Sequence, residues 1–367
     1  MNPKSFYTLC GLAAGAVALA AIAVGTQPSF EAPDAAGELV FPKLVSDING
    51  LKTVTIRSKE GSYNLDWNGQ GWTFRERDNY AVDEKKVNEL VVRIARMSKL
   101  EAKTKVEASY ERLDLNAPDA KAPDLKDWRA KQVTLIDKDG KPMADLIVGK
   151  RKFTLGSKEG GTYVRLPGDP QTWLALGELN PGDKPRDWLK RDVADIKDKD
   201  IKRVTVVHPD GEKVVVAKDK PEDTTFKIQN IPKGMEPTSD FVADEFGRVL
   251  TILLLDDVEK AGDVILPADK TIKAEFEGFE GFKVFVDYAE LDGKNWIKVR
   301  GEAAASPEKP VEGTPAAESK TDWVKAMTEL TQRGDGWVFE VPAYEVSALK
   351  KRMAEITKKP DPPEPKS

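Results

Sequence analysis

The residues most suited to catalysis are scarce, and the first to consider is His208, the only histidine in the chain. An imidazole that catalyses a reaction or binds a metal works with partner groups at fixed distances, and one histidine alone does not make a multi-ligand site. His208 stands in the stretch VVHPDGEK, in which residues 209–211 are typical of a turn that ends a strand. The sequence therefore predicts that His208 is a surface residue of a turn.

Carboxylates could form the acid pair of a glycosidase, which needs two carboxyl groups about 5–10 Å apart in a cleft. Asp256 and Asp257, Asp114 and Glu101 are candidates by residue type. Asp and Glu make up 62 of the 367 residues, and acids at this density mainly solvate a surface. An envelope hydrolase is therefore kept as the third of three functional hypotheses.

Metal and phosphate chemistry have still weaker signals. Asp195, Asp198 and Asp200 lie in DIKDKDIKR, but the lysines between them weaken the field that Ca²⁺ requires, so the stretch is predicted to be a charged connector. The sequence has neither a G-x-x-x-x-G-K-[ST] phosphate loop nor a G-x-S-x-G nucleophile elbow. We predict no enzyme activity, no cofactor, and no catalytic or metal-binding residue.

Charge and cysteine content exclude further classes. The net charge is −5 with no concentrated basic face, so nucleic acid is not an expected partner. The only cysteine, Cys10, cannot form an internal disulfide or a Cys-type zinc site. It lies near the start of an apolar run, whereas a lipoprotein cysteine follows such a run, so lipid attachment is not expected.

The eight tryptophans could bind sugars or partner proteins. Five are predicted on strands and interpreted as core residues, namely Trp67, Trp72, Trp173, Trp296 and Trp337. The others lie nearer connections, namely Trp128, Trp188 and Trp323. Trp188, in the charged stretch RDWLKRD, is the preferred exposed tryptophan, and the alternative is that it caps a junction between domains.

The most apolar stretch after the amino-terminal run is ILLLDDVEKAGDVIL, residues 252–266. One interpretation is that it finishes a helix and enters a buried loop. The other is that it docks on another envelope subunit, because obligate interfaces are as apolar as a protein core. The predicted docking residues are Trp188, Ile252, Leu253, Leu254 and Leu255.

The run FYTLCGLAAGAVALAAIAVG, residues 6–25, has no charge and is either a membrane anchor or a cleaved export signal. Twenty helical residues span roughly 30 Å, the thickness of a bilayer core, whereas the apolar part of a signal usually has about 7–15 residues. Lys4 precedes the run and acids follow it, which orients the amino terminus towards the cytoplasm. Length favours an anchor, residues 21–23 leave cleavage open, and both alternatives export the rest of the chain. The predicted anchor residues are Phe6, Leu9, Leu12, Val17, Leu19, Ile22 and Val24.

After the anchor (1–25) and a proline-containing tether (26–47), two similar layouts follow. Residues 48–194 begin with alternating strands, continue with a helix capped by Asp83, and return to strands. Residues 195–358 repeat this order: SDFVADEFGRVLTILLLDDVEKA supplies the helix, NWIKVRG matches TYVRL, GWVFEVP matches TWLAL, and AYEVSALKKRMAEITKK forms a last helix. The predicted apolar face of the first helix consists of Val87, Leu90, Val91, Ile94 and Met97.

These patterns predict an α+β fold: a tandem duplication of a mostly antiparallel β-meander plus helix unit, preceded by one N-terminal transmembrane helix. A low-complexity insertion at 303–319 interrupts the second unit, and DWVKAMTEL after it is a short amphipathic segment. Residues 359–367 are predicted to be a disordered tail.

The chain resembles the bacterial DUF4340 family, a domain of unknown function. The resemblance is carried by VTIRSKEGSYNLDW, YAVDEKKVNELVVRIARM, YERLDLNAP, LIVGK with TYVRL, and DWLKRDV before VTVV, and it covers most of residues 6–345. It implies an envelope accessory subunit beside ABC-transporter permeases and auxiliary proteins of the gliding-motility type. It supplies no catalytic residues.

We therefore expect a single-pass protein of the bacterial inner membrane, with a cytoplasmic amino terminus and periplasmic domains. Its expected function is a non-catalytic accessory protein of an ABC-type export or gliding-motility-like complex, with the lipid bilayer and permease or auxiliary subunits as partners. The alternative is a periplasmic binding module for cell-wall glycan or lipid in a groove between the two units.

Overall fold

A computed structural model describes residues 37–116, 129–153, 155, 160–303 and 321–360. The predicted anchor, Cys10, Trp128, most of the low-complexity insertion and most of the tail lie outside these ranges. Among the residues that are described, no helix combines the length and the apolar character that crossing a membrane requires.

The first half of the chain forms one nine-stranded sheet. Its strands in chain order are β1 (Leu51–Ser58), β2 (Gly61–Trp67), β3 (Trp72–Phe74), β4 (Tyr80–Ala81), β5 (Ser98–Ala102), β6 (Lys131–Asp137), β7 (Pro142–Lys152), β8 (Gly161–Arg165) and β9 (Thr172–Leu176). Their order in the sheet is β4-β3-β2-β1-β6-β7-β8-β9-β5. Every neighbouring pair is antiparallel, as turn-linked strands require.

Helix α1 (Leu44–Asp47) and helix α2 (Glu84–Arg96) accompany the first sheet. The predicted N-cap of α2 is confirmed, because the Asp83 carboxylate accepts hydrogen bonds from the amides of Lys85 and Lys86. The predicted apolar face is confirmed as well, since all five of its residues are buried. Helix α2 therefore covers the inner face of the first sheet.

Residues 37–47 differ from the predicted tether, because they pack against the first half. The Gly37 amide donates to the Lys99 carbonyl (2.6 Å), the Lys99 amide to the Glu38 carbonyl (2.8 Å), and the Val40 amide to the Met97 carbonyl (2.8 Å). Val40 and Leu44 are buried in the core. Apolar burial and edge pairing thus outweigh the proline-rich composition, and among the described residues the folded body begins at Gly37.

The second half forms an eight-stranded sheet. Its strands are β11 (Ile201–Val207), β12 (Lys213–Ala217), β13 (Lys227–Ile228), β16 (Asp257–Lys260), β17 (Ile272–Gly278), β18 (Phe282–Leu291), β19 (Lys294–Ala303) and β20 (Trp337–Val341). Their order is β13-β12-β11-β17-β18-β19-β20-β16. Apart from β4, which has no counterpart, the two orders correspond strand for strand, with β1 matching β11 and β5 matching β16.

The remaining elements are short. They are β10 (Asp192–Ala194), β14 (Glu236–Pro237), α3 (Asp244–Gly247), β15 (Leu253–Leu254), α4 (Trp323–Gly334), α5 (Ser347–Lys350), α6 (Met353–Ile356) and β21 (Thr357–Lys358). Strand β10 pairs with β15, and β14 pairs with β21. Short 3-10 turns occur at Ile48–Gly50, Arg75–Arg77, Glu107–Ser109, Glu111–Leu113, Pro185–Asp187 and Asp198–Asp200.

The second predicted helix is mostly wrong, because only α3 forms. After α3 the backbone bonds to the connector between the sheets: the Ile196 amide donates to the Leu250 carbonyl and the Leu255 amide to the Arg191 carbonyl. These tertiary bonds replace the helical ones. The apolar positions were nevertheless placed correctly, since Val242, Phe246, Val249, Leu250 and Leu253 are all buried.

The predicted last helix is also wrong, because α5 and α6 are separated by extended backbone at Lys351 and Arg352. The Lys351 carbonyl accepts a hydrogen bond from His208 Nε2 (3.2 Å), and the Arg352 guanidinium binds Asp210 and Glu212. These contacts fix the extended conformation. The amphipathic segment at residues 322–330 is confirmed as the first part of α4, which buries Met327 and Leu330.

The two sheets are parts of one packed body. A single cluster of buried residues includes the inner faces of both sheets, helix α2, helix α4 and the connector between the sheets. A fold of antiparallel sheets with few helices confirms the α+β class.

Leu44→Ala tests whether residues 37–47 belong to the fold. Loss of a buried leucine should lower the free energy of unfolding by about 2–4 kcal/mol, measured by urea unfolding with tryptophan fluorescence. The matched control is the next residue, since Val45 is 53 % exposed, and Val45→Ala should cost under about 0.5 kcal/mol. Equal effects of the two substitutions would show that the segment does not contribute to the core.

Candidate docking site at the junction of the two sheets

The connector between the sheets is built into both halves. The Leu189 backbone bridges to Val82 in the first half, and three residues later β10 pairs with β15 of the second half. Within β10, the Val193 carbonyl accepts a hydrogen bond from the Arg333 guanidinium of α4 (2.8 Å). The connector is therefore a shared structural element that fixes one half on the other.

An ion pair joins the two sheets directly. Arg77 Nε and Nη2 donate to the two carboxylate oxygens of Asp257 at 2.5 and 2.7 Å, and the side chains are only 20 % and 14 % exposed. The two-pronged geometry matches the guanidinium fork to the carboxylate, which makes the pair directional as well as attractive. The hydrogen bond to Asp257 raises the pKa of Arg77.

A second set of contacts holds the neighbouring carboxylate. Arg191 Nη2 donates to Asp256 (3.1 Å), and its Nε donates to the Leu255 carbonyl (2.7 Å). Arg186 Nη1 reaches the other oxygen of Asp256 at 3.4 Å. The sequence placed Asp256 and Asp257 together as a possible acid pair, and the structure pairs each of them with an arginine from outside the second sheet.

Aromatic side chains fill the apolar part of the junction. The Tyr80 ring packs edge-on against Trp337 (centroids 5.0 Å apart) and against Phe339 (6.2 Å). Burial raises the pKa of Tyr80 to about 12, so its hydroxyl stays protonated at any physiological pH. Lys260 Nζ lies 3.5 Å from the centroid of the Trp337 ring, as a cation over an aromatic face.

Glu259 is the junction residue whose negative charge is least well compensated by its neighbours. Its carboxylate lies 3.9 Å from Arg77 Nε, which already binds Asp257. Burial raises the pKa of Glu259, and the attraction of Arg77 opposes this only in part. Glu259 therefore takes up a proton at a higher pH than an exposed glutamate does, because its pKa is raised.

Trp188 does not fit the predicted exposed docking role, because it is only 3 % exposed. Its indole Nε1 donates to the Gly182 carbonyl (3.0 Å), and its own carbonyl accepts from the Asp83 amide (2.7 Å), beside the start of α2. The stretch RDWLKRD is charged on both sides of a tryptophan that packs inwards. Trp188 thus attaches the connector to the first half.

Of the predicted docking residues 252–255, alternate side chains are buried and accessible, as in a strand. Leu253 and Leu255 are buried, Leu254 is half-buried, and Ile252 is 59 % exposed. Ile252 also has φ +54°, a left-handed conformation that is costly for a β-branched side chain. Backbone strain of this kind persists only where the surrounding structure enforces it. Of the predicted set, Ile252 and Leu254 are the side chains that a partner can reach.

Glu345 lies next to Leu254 and connects these residues to the junction. Its carboxylate accepts hydrogen bonds from the Leu254 amide and from Tyr344, and burial raises its pKa. The Tyr344 side chain is largely exposed. Arg191 and Asp256 are close enough to affect the charge of Glu345. The reachable surface is therefore an apolar rim beside the arginine–aspartate contacts.

His208 was predicted correctly as a turn residue and incorrectly as a surface one. Its amide donates to the Glu212 carbonyl and its carbonyl accepts from Gly211, which closes the turn. The ring is 3 % exposed because the segment at Lys351 covers it. The single histidine fastens the carboxyl-terminal segment to the second sheet.

The other candidate acids lie apart. Asp114 is 3.8 Å from Lys150, and Glu101 is 2.5 Å from Lys103. Within the described ranges there is no group of three or more His, Cys, Asp or Glu side chains that could hold a metal ion. The five predicted strand tryptophans all lie on strands, and Trp323 begins α4, stacked 3.8 Å from Phe282.

Two cavities flank the junction. One of about 730 Å³ is lined by Trp72, Asp83, Arg191 and Leu254, among others. The other, about 590 Å³, lies between the β4 edge and α4 and is lined by Tyr80, Trp337 and Arg333, with polar side chains around them. Both are open grooves in which an extended segment or a sugar could lie.

A family model described as "Domain of unknown function (DUF4340)" matches residues 72–258, just over half of the chain. This chain belongs to the DUF4340 family. The match begins in β3 and ends in β16, so the DUF4340 segment crosses the junction and contains both Arg77 and Asp257. It is shorter than the resemblance over residues 6–345 that the sequence suggested. Neither the curated proteins nor the solved structures contain a match to this chain.

Sequence reasoning did not identify Arg77, Arg191 or Tyr80 as junction residues of this DUF4340 protein. Arg77 is 180 positions from Asp257, and one charged residue among 32 % charged residues carries no signal of its own. Tyr80 had a weak signal, because it is an aromatic residue between the charged stretch RERDN and the capped helix.

A double-mutant cycle on Arg77→Ala and Asp257→Ala measures the ion pair between the sheets. The coupling free energy of unfolding should be about 1–3 kcal/mol, because the pair is two-pronged and mostly buried. The control cycle uses Arg75→Ala and Asp66→Ala, an equally two-pronged pair inside the first sheet whose arginine is 53 % exposed. Its coupling should stay under about 1 kcal/mol. A junction coupling no larger than the control would contradict the role of the pair.

Glu259→Gln tests the strained carboxylate through its pH dependence. A carboxyl group whose folded pKa is raised stabilises the fold fully below its unfolded pKa, and that contribution is lost as pH rises through the folded pKa. The neutral variant should therefore have a higher thermal midpoint than the wild type at pH 7, and the gain should vanish as pH falls to about 4. Glu60→Gln, in the exposed β1–β2 turn, serves as the control and should show no such trend. A gain that persists unchanged at low pH would assign the effect to packing.

Proposed function

We propose that this DUF4340 protein is a non-catalytic accessory protein of the bacterial envelope. It is anchored by residues 6–25 in the inner membrane, and its body faces the periplasm. Its partners are the permease or auxiliary subunits of an ABC-type export or gliding-motility-like complex. The proposal assigns it to binding and positioning of other subunits.

The observation that carries the proposal is the short distance between the uncharged run and the folded body. The run ends at Gly25, and the backbone of Gly37 is already bonded to β5. Twelve residues reach at most about 40 Å, at 3.3–3.6 Å each. A folded body connected to its anchor by so few residues stays beside the bilayer, where it can contact the extramembrane parts of a permease.

The chemistry of the junction supports a positioning role. Asp256 and Asp257 are neutralised by arginines, which leaves them as structural contacts between the halves. Ile252 and Leu254 provide a small apolar rim beside them. A surface of this kind suits a protein contact at which shape and a few apolar anchors dominate.

We also propose that the two sheets arose by tandem duplication of one β-meander plus helix unit. The correspondence of strand order supports this, with the strand that follows the helix, β5 or β16, at the same edge in both sheets. The sequence matches of TYVRL with NWIKVRG and TWLAL with GWVFEVP fall on corresponding strands, β8 with β19 and β9 with β20.

A glycan-binding module is the second candidate, favoured by the groove of about 590 Å³ with Tyr80 and Trp337 in its wall. Aromatic faces combined with polar side chains are the usual means of holding a sugar ring. The described residues contain no observation that favours the envelope hydrolase.

Fusions at the carboxyl end test the membrane topology. Alkaline phosphatase, which is active only after export, should be active on the full chain and inactive when residues 1–25 are deleted. A reporter that works only in the cytosol should give the reverse pattern. A signal from the cytosolic reporter fused to the full chain would contradict the proposed topology.

Purification in mild detergent tests the partner. The full chain should bring down permease subunits, and the deletion of residues 1–25 should not. Retention on peptidoglycan without any permease, lost in Trp337→Ala, would favour the glycan-binding module over the accessory role.

A further inference from the structure

The groove between the β4 edge and α4 contains a hydroxyl group that the fold leaves without a partner. Tyr80 lines this groove and is only 6 % exposed, yet its hydroxyl has no hydrogen-bond partner in the described part of the chain. The hydroxyl keeps contact with solvent, because Arg165 Nε is the one fully buried side-chain atom without a partner in those ranges. Buried polar groups are normally hydrogen-bonded, so an unsatisfied hydroxyl in the wall of a groove indicates a place for a ligand atom.

The position and the protonation of this hydroxyl are both fixed by the fold. The Tyr80 ring packs edge-on against Trp337 and Phe339, with centroids 5.0 and 6.2 Å away. Burial raises the pKa of Tyr80 to about 12, although the charge of Arg333 opposes this. The hydroxyl therefore keeps its proton and can donate it to an oxygen atom of a ligand.

Two cations line the same groove, Lys190 of the connector and Arg333 of α4. Neither has a carboxylate within 4.0 Å among the residues that the structure describes. Arg333 Nη1 donates to the Val193 carbonyl (2.8 Å), which fixes the guanidinium while its other N–H groups stay available. The Lys190 amide donates to the Ala81 carbonyl (3.0 Å), which holds this residue beside β4. The two positive charges are suited to a ligand that carries a negative one.

The carboxylates near the groove do not cancel these charges. Glu329 is the acid among the lining residues, and it lies 3.9 Å from Lys325, one turn before it on α4. Asp192 is near enough to act on Tyr80, but it is not part of the groove lining. The lining therefore has two cations without an ion-pair partner and one carboxylate with a lysine beside it.

The rest of the lining consists of groups that hydrogen-bond to hydroxyls or pack on a sugar ring. The Asn79 and Gln332 side chains provide amide donors and acceptors, and Trp337 provides an aromatic wall. Lys260 Nζ covers one face of the indole at 3.5 Å. Aromatic, amide and hydroxyl groups together favour a sugar over an apolar ligand.

We propose that this groove binds a sugar that carries a carboxylate. The Tyr80 hydroxyl donates to an oxygen atom of the sugar, and Lys190 and Arg333 bind the carboxylate. The proposal rests on the glycan-binding candidate described above and names the class of its ligand. The accessory role does not depend on it, because the contacts with a permease involve other residues.

The test titrates the purified full chain in detergent with two sugars, followed by saturation-transfer NMR. N-acetylmuramic acid and N-acetylglucosamine differ only in the lactyl group that carries the carboxylate. The acid should bind more tightly by about threefold or more, because the cations of the groove are partly exposed. This preference should shrink as the salt concentration rises from about 20 to about 300 mM, because exposed charges are screened.

Three variants assign the binding to named side chains. Tyr80→Phe keeps the ring packing and removes the hydroxyl, so it should weaken both sugars by about three- to tenfold and leave the thermal midpoint unchanged. Lys190→Gln should weaken the acid and leave the neutral sugar unaffected. Lys220→Gln is the matched control, because Lys220 is an exposed lysine in the connection from β12 to β13. It should bind both sugars as the wild type does.

Four results would overturn the proposal. Equal affinity for the two sugars at low salt would remove the acidic ligand and leave the glycan-binding candidate in place. Unchanged affinity in Tyr80→Phe would place the sugar elsewhere. Binding of lactate as tight as that of N-acetylmuramic acid would show a carboxylate site that does not recognise sugar. The absence of saturable binding of either sugar up to about 50 mM would overturn the proposal and the glycan-binding candidate together. None of these results affects the purification test with permease subunits, so the accessory role is tested separately.

Discussion

Each sheet of this protein is apolar on one face, and the need to bury those two faces governs the rest of the structure. Helix α2 covers the inner face of the first sheet, helix α4 packs on the second, and the connector closes the space between them, so that the buried side chains form one continuous cluster. Burial of apolar area at about 25 cal/mol per Å² is the dominant favourable contribution. The two sheets, whose strand orders correspond, therefore form a single body with a shared core.

At the junction, ion pairs between arginines and aspartates join the two halves where apolar side chains do not. Arginines from the first half and the connector bind Asp256 and Asp257, at the point where the edge strand β16 faces the first sheet. An edge strand exposes unpaired backbone groups and is prone to add foreign strands. Charged pairs along β16 give this edge a specific neighbour. The energetic cost falls on Glu259, which is half-buried beside an arginine that already has a partner.

The fold was readable from the sequence wherever local signals and tertiary packing agree. The period of the first helix, the Asp83 cap and the turn glycines are local features, and they predicted α2 and the hairpins. Local signals failed where the backbone bonds to distant segments. The stretch after Gly247 bonds to the connector and not to itself. The backbone between α5 and α6 is extended because the Lys351 carbonyl accepts a hydrogen bond from His208 and the Arg352 side chain binds Asp210.

The candidate site was readable only in part, for the same reason. Ile252 and Leu254 were identified by their apolar character, but their exposure and the burial of Trp188 depend on how the connector packs. The arginines that complete the junction are far along the chain from the aspartates that they bind. Charged residues are frequent enough in this sequence that their individual partners emerge only from the three-dimensional arrangement.

The attachment of residues 37–40 to the edge of β5 has a mechanical consequence. Tension applied at the amino-terminal side of Gly37 acts first on three backbone hydrogen bonds and then on the buried side chains of Val40 and Leu44. Because these contacts are few, we expect residues 37–47 to detach before the strands of the nine-stranded sheet separate. When residues 37–47 detach, they add about 35–40 Å of extended chain, at 3.3–3.6 Å per residue. Residues 37–47 can thus lengthen the connection before the folded body under force, while both sheets stay intact.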